Sequence, residues 1–303
     1  MGLTKEQIVG RIQALKSEKR AVILAHNYQI GEVQEVADYT GDSLGLSQQA
    51  AAAEAEVIVF CGVHFMAETA AILSPQKTVL LPDLKAGCPM AEMITAEELR
   101  AWKRKYPGRK VVSYVNTTAE VKAESDICCT SSNAVKVVNS IEDDEILFVP
   151  DKNLAAYVAR QTRKKIVAWD GYCYVHNRIY ASDVLARNRL FPGAAVWVHP
   201  DCRPEVIDLA DKVLSTGHMV RAARETQAKE VIIGTEAGII YRLKKENPAV
   251  TFHPVKDLAM CSNMKKINLY KVWRALEEMQ FKIVVPPDIS ARARGAIERM
   301  IQI

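Results

Sequence analysis

AVILAH at residues 21–26, KVVSYV at 110–115 and AAVWVH at 194–199 are three versions of one β-branched run. Counted forward without gaps from His26, Tyr114 and His199, the three registers keep meeting the same residue types. Six positions on stand Glu32, Glu120 and Glu205; seven on, Val33, Val121 and Val206. Twelve on are Asp38, Asp126 and Asp211; seventeen on, Ser43, Ser131 and Thr216. Each register then runs to a cysteine: Cys88, Cys173 or Cys261. Such self-similarity sets the architecture before any single motif is interpreted. It also brings one hydroxyl and one thiol from each third of the chain to corresponding places.

Around these anchors each third alternates strand and helix. The opening strand leads to a short helix (32–39, 119–125 or 204–212), and the Ser or Thr to a longer one (44–54, 133–140 or 218–227). A second strand follows in EVIVFCG, EILFVP or EVIIGTE, then a helix, a third strand in TVLLPD, KIVAWD or VTFHPV, and the cysteine. Short apolar strands alternating with helices indicate parallel sheets covered on both faces. Pro107-Gly108 and Pro192-Gly193 supply turns just before the second and third opening strands. The expected fold class is α/β: three pseudo-symmetric three-layer α/β/α domains with short parallel sheets around a central site. The expected bounds are 1–105, 106–190 and 191–280, with a tail over 281–303. That tail carries a strand in KIVVPPD, returning to complete the first sheet, and a last helix.

The bulk numbers exclude several classes. Of 303 residues, 49% are hydrophobic and 25% charged, an ordinary globular balance. No stretch approaches the roughly 18 consecutive apolar residues of a membrane span. The first twenty residues read as an amphipathic helix rather than a signal peptide, which points to a cytoplasmic address. The net charge of +4 is spread over short basic clusters near helix ends, where it complements helix dipoles. A nucleic-acid partner would need a basic stripe. Small anionic substrates fit the charge. Phosphate-loop, dinucleotide-fold, zinc-finger and ferredoxin signatures are missing.

In parallel α/β sheets, ligands sit beyond the carboxyl ends of strands. His26, Tyr114 with Asn116, and His199 with Asp201 fall there. Ser43, Ser131 and Thr216 open helices, where a hydroxyl beside free N–H groups can hold a carboxylate or phosphate. For one such residue alone a helix cap is the commoner role. Three at one offset favour a shared anion site. Cys88, Cys173 and Cys261 bring three soft thiolates to one point, which suits iron–sulfur or zinc. Three ligands leave one metal position open for Lewis-acid chemistry such as dehydration. Cys61 reads as core, Cys128 and Cys129 as packing, and Cys202 as undecided beside the site. His64, His218 and His253 have no partner in the repeat, and His176 is the better supporting candidate.

AHNYQIGEVQEVADYTGDSLGLS, SYVNTTAEVKAESDICCTSSNA, DGYCYVH, HPDC, GTEAGIIYRL and MCSNMK resemble the quinolinate synthase family over essentially the whole chain. The resemblance implies a cytoplasmic enzyme with three α/β domains around a central cluster site. It implies one [4Fe-4S] cluster on Cys88, Cys173 and Cys261, with one open iron position. The implied reaction joins iminosuccinate and dihydroxyacetone phosphate, releasing phosphate and two waters, to give quinolinate for NAD synthesis. Coupling to L-aspartate oxidase goes with that pathway. By the same resemblance His26, Ser43, Tyr114, Asn116, Ser131, His199 and Thr216 form the substrate shell, with Val115 and Pro200 contributing backbone. Tyr28 is similar to the family's mobile-loop tyrosine that assists proton transfer. Asp201 departs from the Glu expected after His-Pro; it is one methylene shorter as acid–base partner of His199.

Two rival classes use the same thiols: a non-catalytic iron–sulfur carrier or redox sensor, and a zinc hydrolase with a three-cysteine site. A carrier has no use for anion sites and His, Tyr and Asp groups. A zinc protein is colourless where a cluster is brown, so anaerobic purification separates the readings.

Overall fold

The computed structural model describes residues 3–303. Helix α1 (Lys5–Glu18) starts at a capping box between Thr4 and Gln7 and leads into the first unit. That unit runs β1 (Ala21–His26), α2 (Gly31–Val36), β2 (Tyr39–Gly41), α3 (Ser43–Ala52), β3 (Val57–Cys61), α4 (His64–Leu73) and β4 (Thr78–Leu80). After α5 (Ala96–Lys105) the second unit repeats it. It comprises β5 (Lys110–Tyr114), α6 (Ala119–Ala123), β6 (Ile127–Cys129), α7 (Ala134–Ser140), β7 (Glu145–Val149), α8 (Lys152–Ala159) and β8 (Lys165–Ala168). After α9 (Ala181–Leu190) the third comprises β9 (Ala195–Val198), α10 (Pro204–Ile207), β10 (Lys212–Val213), α11 (Thr216–Glu225), β11 (Glu230–Gly234), α12 (Ile239–Glu246) and β12 (Thr251–Pro254). Helices α13 (Leu269–Glu278) and α14 (Pro287–Ile301) follow.

The three sheets are parallel throughout and share one order: β2-β1-β3-β4, β6-β5-β7-β8 and β10-β9-β11-β12. The three-fold α/β repeat is therefore real. Its opening strands are apolar because both faces are covered: Ile23, Leu24, Val111, Val112, Val196 and Val198 are all buried. Each such side chain stabilises the fold by about 1.5–3 kcal/mol. Gly108 and Gly193, at φ 77° and 92°, take the left-handed turns that precede β5 and β9.

Each unit has four strands where sequence patterning indicates three. The additional ones, β2, β6 and β10, are two or three residues long, too short for any periodicity to register. They also truncate the preceding short helices, which end at Val36, Ala123 and Ile207. The repeated aspartate explains how so short a strand holds. The Asp38 N–H donates to Ile23 O at 2.9 Å while its carboxylate accepts the Ile23 N–H at 2.8 Å. Asp126 does the same with Val111 and Asp211 with Val196. The twelfth position is thus a structural clamp.

In the tail, the KIVVPPD segment makes a single antiparallel bridge, Leu80 to Lys282, on the β4 edge. Pro286 and Pro287 have no N–H to extend it. Helix α14 then crosses to the second unit, where Asn133 donates to Met300 O and Arg299 to Asp126 O. No helix among the described residues is long and apolar enough to cross a membrane.

Candidate active site

In each sheet the strand order reverses between the first and third strands, which opens a crevice at their carboxyl ends. The three crevices meet in one cavity. His26, Tyr28, Ser43, Tyr114, Asn116, Ser131, His199, Asp201, Thr216, Cys88, Cys173 and Cys261 all line it. Val115 and Pro200 are buried beside it without lining it. The Val115 N–H is spent on Cys129 O and Pro200 has none, so neither brings an amide donor.

The hydroxyls are not the helix caps. Asp42 caps α3, accepting from the Gly45 N–H at 2.9 Å, and Ser215 caps α11, accepting from His218. Ser43 and Thr216 are the first helical residues after those caps. In the second unit the side chain of Asn133 closes the turn before α7 by accepting from the Thr130 N–H. Ser131 stays clear of that bond. Asn27 donates to the Thr216 hydroxyl at 3.2 Å.

Opposite lies a network of rings and one carboxylate. Nδ1 of His26 accepts the Tyr28 N–H, and Nδ1 of His199 accepts the Asp201 N–H, each at 3.2 Å. Burial lowers His26 to about 4, so its neutral ring keeps the proton on Nε2. The His199 Nδ1 also lies 3.3 Å from Asp201 Oδ1. Burial alone would raise Asp201; His199, His176 and the Tyr114 hydroxyl together hold it below the ordinary carboxylate range. Tyr114 donates to Asp201 Oδ2 at 3.3 Å. Burial pushes the Tyr28 and Tyr114 phenols well above their ordinary range, so both keep their protons. The Tyr28 hydroxyl meets Thr235 at 2.6 Å, and Thr235 meets His176 at 2.7 Å. His176 stacks on His199 with centroids 4.5 Å apart. Among the described residues, Asn116 Oδ1, Asp201 Oδ1 and His176 Nδ1 are buried without a hydrogen-bond partner.

The seven thiols divide in two. Cys88, Cys173 and Cys261 are partly exposed into the cavity; Cys61, Cys128, Cys129 and Cys202 are fully buried. Cys202 donates to Gly234 O, which gives it a packing role. Burial raises Cys88 to about 12 and pushes Cys173 well above the ordinary thiol range. A bound cation reverses that preference, because metal ligands must be thiolates.

Thr235 and Glu236 were not singled out by sequence reasoning, although GTEAGIIYRL contains both. Their signal was positional: Glu236 follows the end of β11 by the same step that separates Asp151 from β7. Asp151 accepts the Cys173 N–H at 3.1 Å and Glu236 the Cys261 N–H at 3.0 Å. Val63 holds that place in the first unit.

Fold and cavity define the class: a three-unit α/β protein whose units jointly build one site with three thiols and a set of hydroxyl, imidazole and phenol groups on its wall. Residues 10–302 match the family model described as Quinolinate synthetase A protein. The chain is 59% identical to the quinolinate synthase of Dehalococcoides mccartyi over 298 residues, covering 98% of this chain and 99% of that one. It is 58% identical to that of Methanoregula boonei, at 96% of each chain, and 51% identical to quinolinate synthase 1 of Methanosarcina acetivorans, at 99% of each. The chain belongs to the quinolinate synthetase A family, a family of enzymes.

Proposed function

We propose that this chain condenses iminosuccinate with dihydroxyacetone phosphate to quinolinate, releasing phosphate and two waters, in cytoplasmic NAD biosynthesis. An L-aspartate oxidase supplies the iminosuccinate. The observation that carries this reading is the composition of the cavity wall: one thiol and one hydroxyl from every unit, with His26, Tyr114 and His199 beside them. The units act together as 1–105, 106–190 and 191–280, with the 281–303 tail.

Cys88, Cys173 and Cys261 hold a [4Fe-4S] cluster with one open iron. Among the described residues, His176, His199 and Asp201 form the one set of three or more such donors within 4.8 Å of one another. Three thiols, one from each unit and all on one cavity wall, would suit an iron–sulfur cluster, which takes soft thiolate ligands. When bound, it supplies Lewis acidity for loss of hydroxide.

The chain's own groups do the rest. Ser43, Ser131 and Thr216 donate to carboxylate and phosphate oxygens, and Asn116 offers the amide. His26 Nε2–H donates to a carbonyl oxygen as it gains charge. Tyr28, protonated by burial, delivers a proton. His199 removes one at Nε2 from the tautomer in which Nδ1–H faces Asp201 Oδ1 rather than accepting the Asp201 N–H, and Asp201 steadies the resulting imidazolium, a pairing worth about 10²–10⁴-fold in rate. Val115 and Pro200, buried beside the wall, contribute only backbone to the substrate shell.

The test is anaerobic reconstitution with iron and sulfide, then quinolinate formation from supplied iminosuccinate and dihydroxyacetone phosphate. Brown protein with turnover is expected. A loaded protein without turnover leaves a carrier, and a colourless zinc protein that hydrolyses substrates sinks the cluster.

A further inference from the structure

The loop after β1 belongs to the first unit, yet the third unit holds it at every step. Asn27 donates to Thr216, the Tyr28 hydroxyl meets Thr235, and Gln29 Nε2 meets Met264 Sδ at 3.7 Å. The main chain is held as well: the Lys265 ammonium donates to Tyr28 O. Asn27, Tyr28 and Gln29 are accordingly buried, at 1%, 9% and 0% exposure.

Lys265 also pairs with Glu236 at 2.9 Å, and that glutamate is buried completely. One Glu236 oxygen accepts the Cys261 N–H, and the other accepts the Gly238 N–H at 2.8 Å. Lys265 further donates its own N–H to Cys261 O at 3.2 Å. Glycine at 238 is required by this crowding, since a Cβ there would lie 2.8 Å from Tyr28 O and 2.7 Å from the Glu236 carboxylate. An unbroken chain of contacts therefore runs from the Cys261 backbone through Glu236 and Lys265 to the Tyr28 carbonyl. The second unit has Asp151 under Cys173 but no lysine reaching from it to another unit's loop. The first has Val63.

We propose that Glu236 and Lys265 form a latch through which the Cys261 backbone holds the Tyr28 loop shut. Seating Cys261 on the cluster and closing Tyr28 over the cavity then become one event. The inference rests on the cluster reading above, and it makes Glu236 and Lys265 positioning residues. A charge-assisted bond shared between them holds the loop, so cutting it should speed local opening by about 10-fold or more.

The experiment is hydrogen exchange at the amides of residues 27–30, with iron and sulfide measured on every sample. In the reconstituted wild-type protein these amides should exchange slowly, and about 10-fold or more faster once a chelator strips the cluster. Lys265→Met should keep its iron and sulfide yet exchange fast whether loaded or stripped. The double variant Lys265→Met/Glu236→Gln should behave alike without leaving a buried carboxylate unpaired. Wild-type exchange in either loaded variant overturns the latch alone. A wild-type chain that takes up no iron overturns the cluster reading, and the coupling with it.

Discussion

Ser43 and its neighbour Asp42 offer the sharpest test of the site, because adjacent residues should fail in opposite ways. Asp42 caps α3 and also accepts from the Ser132 hydroxyl at 2.6 Å. Asp42→Ala should therefore cost about 0.5–2 kcal/mol of stability through the cap alone. That lowers the melting temperature by about 1–3 °C in a chain of 303 residues. The Ser43 hydroxyl carries no cap, and its side chain faces the cavity. Ser43→Ala should leave stability unchanged or raise it by up to ~0.5 kcal/mol, since alanine is the better helix former. What it should lose is a donor to an anion, worth about 1.5–3 kcal/mol. That corresponds to roughly 10- to 150-fold weaker binding. Calorimetric titration with quinolinate and thermal melts on the same samples separate the two effects. If Ser43→Ala melts early and still binds like wild type, the seventeenth register position serves folding, and the anion site is wrong.

Replacing Cys88, Cys173 or Cys261 by Ser should abolish iron and sulfide binding, whereas Ser at Cys61, Cys128, Cys129 or Cys202 should retain the colour. Iron lost in Cys128→Ser but kept in Cys173→Ser contradicts the ligand set. Tyr28→Phe should retain cluster and quinolinate binding while turnover falls by about 10²-fold or more; Asp201→Asn should shift the pH profile of kcat as well as its height. Near-wild-type rates in both would move proton transfer elsewhere. His26 is held at about 4, below its ordinary value, by burial. The unfolded chain then binds the extra proton, so stability is full above about pH 6.5 and falls as pH drops toward 4, by up to ~3 kcal/mol. Urea midpoints at several pH values should show this slope, and His26→Asn should reduce it, leaving the share of His176, which burial lowers to about 3.

The strand-helix repeat and the cavity wall could be read from the chain because each third restates the same positions. Three independent copies turn a weak signal at His26, Ser43 or Cys88 into a spatial one. What escaped reading has a physical cause in each case. The strands at Tyr39, Ile127 and Lys212 depend on a side-chain clamp, not on apolar alternation. Thr235 and Lys265 matter through what they touch in the first unit, and no register within one unit shows contacts between units. Asp42 is the cap of α3, and the repeat does not show this because its register marks Ser43, one residue later.

The aspartate clamp is also a ruler. It pins the chain at Asp38, Asp126 and Asp211, and in every unit the cavity hydroxyl stands five residues later. Over so short a span, side chains can drift while length cannot. One inserted residue turns the hydroxyl away from the shared axis and takes a third of the anion site with it. These three intervals should tolerate substitution in evolution and resist insertion or deletion.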